Sequence, residues 1–476
     1  TAATRSSPIP NLHPQGFAMT LTSQLISTCF QRLPGQIDEG ALRMARLSLI
    51  DSLAVAYAAY GERPIDMLRS LSTEGQTEGE STVIGYGERG RATDVSLVNG
   101  MMISLQLFDD NHELMRGHPS GPLLPAVLSV AESRGLTLGE AMRAFVIGYE
   151  VECRLGILLN PSHYELGWHA TATQGAVASA VASGLLLGLN ESQMAYALGI
   201  VASLASGIRR NFGTMTMSLH SGMAASQGVR AAKLAALGFS ADPNVFENPR
   251  GYGAIFSPEW TDAALQADLA KWGKDWMIKV PTFKLYPCGR PNLFGIDAAL
   301  ALRAKEGFRV EDIERIVCDV SYMYPRTVVH SRPVNGLQGK TSLEYCVATT
   351  LMNGRPTLAD FTDEAVHRPH VRALLDRTEM RVPPELSEDI PAVRKAPFEQ
   401  PVTVNLHMRD GRHLSEVVHV AKGSPTNPTT EEELNGKFTD CAVPNIGQAR
   451  ALGILATLGN STLPVRDLMA SLIVRR

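Results

Sequence analysis

From Met19 to about Trp276 the apolar positions recur at three- and four-residue spacing, which predicts a run of long helices. In 41–60, Leu42, Ala45, Leu49, Leu53, Ala56 and Tyr60 fall on one face, and Gly61 follows as a stop. The same habit returns at 99–107, 123–134, 139–155, 170–189, 194–206 and 221–237. The stretch 175–188 differs because it is apolar all round and rich in Ala, Gly and Ser. Side chains that small let helix backbones approach closely, so this helix is expected at the centre of the helical part. Near Lys279 the period changes. Residues 313–324 and 402–408 alternate with period two, and Arg409-Asp410-Gly411 joins 402–408 to 413–420 as a hairpin. Helices are expected between them at 342–352 and 363–375. After a Pro-broken loop, Thr429 and Glu432 stand at capping-box spacing and open a last helical segment.

This pattern predicts a mainly α protein: a large all-helical domain over 19–279 and a smaller α+β domain over 280–422. The segment 423–476 is expected to return to the helical domain, and 1–18 to be a disordered or expression-derived lead. The length of 476 residues agrees, since at roughly 150 residues per domain it suggests two or three domains. Such a chain buries a sizeable core without a disulfide or metal staple. Charged residues make up 19% of it, less than the usual quarter, which suggests a large core or an oligomer hiding surface. The net charge is −4 and the basic residues are scattered, so a nucleic-acid partner is not expected. The six cysteines stand far apart, without CxxC, zinc-ribbon or iron–sulfur spacing, which fits a reducing compartment. The first eighteen residues lack the apolar run of a secretory signal, and no unbroken apolar stretch of about twenty residues suggests a membrane span. The expectation is a soluble, cytoplasmic protein.

The informative residues are the polar ones that interrupt apolar helices. Four groups stand at element ends beside Gly or Pro, where a scaffold commonly presents functional side chains. The first, 108–121, holds Asp109, Asp110, His112, Arg116 and His118. The second, 163–173, holds His163, Tyr164 and His169; the third, 207–222, holds Arg209, Arg210 and His220. The fourth is 284–290, which begins with Lys284. The histidine spacings match neither HExxH nor an i, i+4 ligand pair, so no metal is expected. Neither GxGxxG, GxxxxGK[ST] nor GxSxG occurs, so nucleotide cofactors and a serine elbow are not expected either. What remains suits a small polyanion: Arg and Lys hold carboxylates, and a neutral His takes or gives a proton. Lys340, a lone lysine near a helix start, reads as solvated.

At these residues the sequence resembles the MmgE/PrpD family. The resemblance is carried by 81–100, 108–121, 167–173, 284–288, 336–348 and 424–438, in the family's order, and spans about 24–475. It implies a helical domain with an α+β lid, a homodimer, a cleft between the domains, and cofactor-free proton transfer next to a carboxylate of a small di- or tricarboxylate. Family activities of this kind include 2-methylcitrate dehydratase, cis-aconitate decarboxylase and iminodisuccinate epimerase. By position it puts His118, His169 and Lys284 at family sites, with Asp109, Asp110 and His220 in neighbouring motif positions. Either histidine would transfer the proton, and Lys284 would neutralise a carboxylate or an enolate-type charge. Arg116, Arg209 and Arg210 are added as carboxylate clamps from their charge and neighbourhood alone. Departures from the family matter too. Met217 stands where the decarboxylase-like members carry a lysine, and Leu107 where they carry the first aspartate of Asp-Phe-Asp-Asp. A lid tyrosine is replaced near His330, with Tyr324 the nearest alternative. Losing the lysine and the aspartate together disfavours cis-aconitate decarboxylation. The expectation is an epimerase, isomerase or dehydratase; the alternative is a non-catalytic carboxylate-binding paralogue.

Overall fold

The computed structural model describes residues 19–475 other than 76 and 248, so the expected lead over 1–18 lies outside the described residues. Seven long helices lead the chain: α1 (Glu39–Ala58), α2 (Ala92–Leu105), α3 (Ser120–Arg134), α4 (Leu138–Leu159), α5 (Ala170–Leu187), α6 (Glu191–Leu204) and α7 (Met215–Ala236). Local chemistry starts them. Asp38 caps α1 by accepting the N–H of Ala41, and Thr137 and Glu140 form a capping box on α4. At the other end of α5, Gly188 takes φ +73 and stops the helix.

The small-residue helix α5 is central: every residue from Ala170 to Gly184 is buried. Among the described residues it is the one helix long and apolar enough to cross a membrane by length and composition, yet 83% of it is buried inside the protein. Its neighbour α7 meets α2 through glycines. A Cβ on Gly100 would lie 2.7 Å from the Cα of Gly222, and one on Gly222 would collide with the carbonyl oxygen of Leu97. Backbone has no rotamer with which to yield. Gly222→Ala is therefore expected to cost roughly 1–3 kcal/mol, read as a lower denaturant midpoint at unchanged slope; an unchanged midpoint would show that the helices can part freely.

After Lys284 the second unit begins with α8 (Arg290–Arg303), a helix that the apolar pattern did not single out. Then come β1 (Ile313–Asp319), α9 (Leu343–Asn353), β2 (Thr378–Arg381), β3 (Val402–Met408) and β4 (His413–Val418). The sheet order is β2-β1-β3-β4; β1 and β2 are parallel and the other pairs antiparallel, with Val317 opposite Asn405 and Asn405 opposite Ser415. The expected hairpin is β3–β4. The strand expected over 313–324 stops at Asp319, and the helix expected over 363–375 is broken at His367 into two short pieces.

The final helices are α10 (Glu431–Ile446), α11 (Gln448–Thr457) and α12 (Val465–Ser471). The capping box of α10 is Thr430 with Glu433, one residue beyond the expected pair. Thr429 instead donates its hydroxyl to the carbonyl oxygen of Phe283 at 3.4 Å. One hydrophobic core gathers Leu21 to Phe283 and again Leu434 to Leu472; a second gathers Leu285 to Ala421.

Candidate active site

A cavity of about 110 Å³ opens where these two cores meet. One wall is made by the turn after α2, the loop into α3 and the start of α5. The other is made by Gly289, Arg290 and Pro291 at the head of α8, with Thr327, Val328, Thr341 and Phe398. The first wall is strained. Leu107 and Arg116 take φ of +49 and +54, and among the described residues they are the only non-glycines in the left-handed region. Each costs of the order of 1–2 kcal/mol there, and both line the cavity. Strain of this kind is kept where surrounding structure fixes a functional geometry.

Of the sequence-expected residues, the structure brings Asp109, Arg116, His118 and His169 to the cavity, together with Met217 and Leu107. The Nδ1 of His118 lies 2.8 Å from the carbonyl oxygen of Asp110 and 3.4 Å from Asp109 Oδ2. Both neighbours only accept, so Nδ1 carries the hydrogen and Nε2 keeps the lone pair. Burial lowers the His118 pKa, opposed by the Asp109 charge. His169 starts α5, its ring centroid 6.5 Å from that of His118. Its Nδ1 meets Nδ1 of His220 at 3.0 Å, so one of the two donates and the other accepts. Burial first, then the neighbouring His220 and His118, push the His169 pKa well below its usual value. Both histidines on the wall are therefore neutral near pH 7.

Arg116 is the wall cation with the loosest ion pair. Its Nη1 is buried without a hydrogen-bond partner and stands 3.9 Å from Glu165. Arg290 is paired with Glu113 across the two walls and donates to the Phe398 carbonyl oxygen at 3.3 Å. The sequence reading passed over Glu113, Phe212, Arg290 and Phe398. Glu113 lies within 108–121 and Arg290 within 284–290, and for Arg290 a charge between Gly289 and Pro291 was the available signal; nothing in the sequence marks Phe398.

The remaining expected residues stand behind the wall or away from it. Asp110 accepts the hydroxyl and backbone N–H of Ser120 at 2.7 and 3.2 Å, bracing the entry to α3; burial raises its pKa to about 7. Lys284 is fully buried, donates to the Leu107 carbonyl oxygen at 2.8 Å, and lies 3.6 Å from Asp109. Arg209 stacks 3.5 Å over the ring of Tyr164, which lines the cavity, and donates to the Tyr164 carbonyl oxygen at 2.7 Å. Arg210 points to solvent. His112 is buried with neither ring nitrogen bonded, and burial lowers its pKa to about 4. Tyr324 is buried behind Phe398, its hydroxyl unpaired. His330 packs against Gly213, behind Phe212. These placements do not fit direct substrate contact for Arg210, His112, Tyr324 or His330. Lys340 corrects the sequence reading more sharply: it is 2% exposed, not solvated, and bonds Gln106. Among the described residues no three His, Cys, Asp or Glu side chains cluster as metal ligands.

Comparison with known proteins adds the family context. The profile of the MmgE/PrpD N-terminal domain matches residues 28–263, and that of the MmgE/PrpD C-terminal domain residues 286–458. Cis-aconitate decarboxylase of Mus musculus is 27% identical over 420 residues, covering 84% of this chain and 82% of its own. Cis-aconitate decarboxylase-like protein oryM of Aspergillus oryzae is 25% identical over 478 residues, covering 93% and 94%. Cis-aconitate decarboxylase of Aspergillus terreus is 25% identical over 453 residues, covering 89% of each.

Proposed function

The chain belongs to the MmgE/PrpD family, and from that premise we propose that it is a cofactor-independent lyase or isomerase removing a proton α to a carboxylate of a small di- or tricarboxylate. The observation that carries this reading is the locked tautomer of His118, which leaves an unprotonated Nε2 at the cavity with Asp109 behind the ring. Abstraction turns His118 into an imidazolium, and Asp109 stabilises the charge as it forms. Arg116 docks a substrate carboxylate, because its Nη1 is buried without a hydrogen bond and its ion pair with Glu165 is a long one. In a dehydration the His118 imidazolium gives its proton to the departing β-hydroxyl. In an epimerisation His169 protonates the opposite face while taking a proton at Nδ1 from His220; His118 releases the abstracted proton to solvent, and solvent restores His220. Closure of the two units around the substrate excludes water while charge develops.

Within the family reading, Met217 separates the subtypes. A decarboxylation leaves a carbanion that must be protonated where the carboxylate departed. The thioether of Met217, buried in the cavity wall, neither moves a proton nor holds a charge. Proton transfer without C–C cleavage, giving epimerisation or dehydration, is therefore favoured. The homodimer expected from the resemblance is part of the same proposal.

The test is proton NMR in D₂O with 2-methylcitrate, citrate, cis-aconitate, iminodisuccinate and simple hydroxy- and amino-diacids. Deuterium is expected at an α-carbon, accompanied by inversion or by loss of a β-hydroxyl. Release of carbon dioxide from cis-aconitate would overturn the subtype. Saturable binding with no exchange from any compound would overturn catalysis and leave a carboxylate-binding protein.

A further inference from the structure

Helix α2 ends without the glycine that helix ends usually take. Gln106 caps it, and Leu107 follows at φ +49 so that its side chain can line the cavity. The carbonyls of such an end carry partial negative charge and lack helical partners. Here three in succession meet lysines. Lys340 donates to the Gln106 carbonyl oxygen at 3.2 Å and to the Gln106 side-chain oxygen; Lys284 donates to the Leu107 carbonyl oxygen at 2.8 Å; Lys437 donates to that of Phe108. Asp109 is the next residue. The lysines come from three parts of the chain: the junction between the two cores, the second unit and α10.

We propose that Lys340, with Lys284 and Lys437, is a positioning residue: three ammonium groups clamp consecutive carbonyls and hold the strained Leu107 turn where Asp109 stands beside His118. Lys340 is the member that ties the two cavity walls together. Its carbonyl oxygen accepts from Gly289 N at 2.8 Å and from Asn292 Nδ2 at 3.0 Å, at the head of α8, while its ammonium reaches α2. Among the described residues no carboxylate pairs with it, in contrast to Lys437 with Asp51 and Lys284 with Asp109. Its partners are the two oxygens of Gln106, so its binding energy is spent on that turn. The clamp is complete only when the two units are docked around the cavity.

The experiment follows the imidazole of His118 by NMR titration of histidine-labelled protein, with no substrate present, so its outcome is independent of the proposed reaction. Asp109, Lys284 and His169 are the titratable groups facing that ring. Asp109 raises its pKa by more than Lys284 lowers it, so a turn that relaxes and withdraws Asp109 lowers the midpoint. In Lys340→Met a fall of the order of 1 unit is expected, while His163, bonded to Phe256 and Thr173, titrates as in the parent. An unchanged His118 midpoint in folded Lys340→Met overturns the clamp and leaves Lys340 a purely structural residue. Should that variant not fold, Gln106→Leu removes the side-chain acceptor and keeps the ammonium. A smaller fall in the same direction is then expected, and no fall overturns the proposal.

Discussion

Replacing His118 by alanine is expected to slow substrate-dependent proton exchange by roughly 10²- to 10⁴-fold, the range of a positioned acid–base group, with the fold intact. The reason lies in the division of labour on the ring. Nδ1 is occupied by the Asp110 carbonyl oxygen, so Nε2 is the free proton acceptor. The backbone N–H of His118 still donates to Thr171 Oγ1 at 2.9 Å in the variant, which keeps the loop attached to α5. Saturation by substrate should change little, because Arg116 does the docking. A His118→Ala protein that is folded and exchanges protons at the parent rate would remove His118 from the mechanism and direct attention to His169.

The same residue sets the expected pH profile. Burial pulls the His118 pKa below its ordinary value, and the protonated ring cannot accept a proton. Exchange should therefore be level across neutrality and fall only as pH drops through a midpoint below about 6.5. In Asp109→Asn the raising charge is lost, so this acid limb moves to still lower pH while the plateau falls. A limb moving upward would contradict the geometry.

The second large effect is on stability. Lys437→Met is expected to destabilise the protein by about 3–5 kcal/mol, as removal of one partner from a buried ion pair does. Lys437 is 4% exposed and reaches Asp51 at 2.6 Å, the Lys284 carbonyl oxygen at 3.0 Å and the carbonyl oxygen of Phe108. It thus joins α10 to α1, to the turn after α2 and to the segment entering the second unit. Without it, fully buried Asp51 has no ion-pair partner among the described residues, Lys284 being the next cation that acts on it, and two carbonyls lose their lysine donor. Adding Asp51→Leu should recover part of the loss by removing the orphaned carboxylate, though not the part owed to the carbonyls. Denaturant midpoints of the two variants decide this; a Lys437→Met protein as stable as the parent would mean that water replaces the ammonium.

How far the sequence carried can be judged from particular elements. Spacing located α1 and α7, because a helix that buries one face must repeat its apolar residues near every 3.6 positions; α5, apolar all round, was marked by its run of Ala, Gly and Ser instead. Spacing also found the β3–β4 hairpin, where period two is interrupted by Arg409-Asp410-Gly411. It missed α8, which is buried on most sides, so that no polar face marks its period. It also displaced the α10 cap by one residue, since Thr429 and Thr430 offer the same hydroxyl and only packing against Phe283 assigns them.

The site shows the same division. The sequence by itself determined the mainly helical class, the loop rich in His, Asp and Arg between α2 and α3, and the motif order that marks the family. Only the tertiary structure decided that Asp109, Arg116, His118 and His169 face one cavity while His112, Asp110 and Tyr324 turn inward. It alone revealed Lys340 and Lys437, whose acceptors lie 234 and 329 residues away along the chain. Periodicity reports which face of an element is buried. It cannot report what that face meets, and a buried ammonium is stable only where the fold brings distant oxygens, of backbone or side chain, to it.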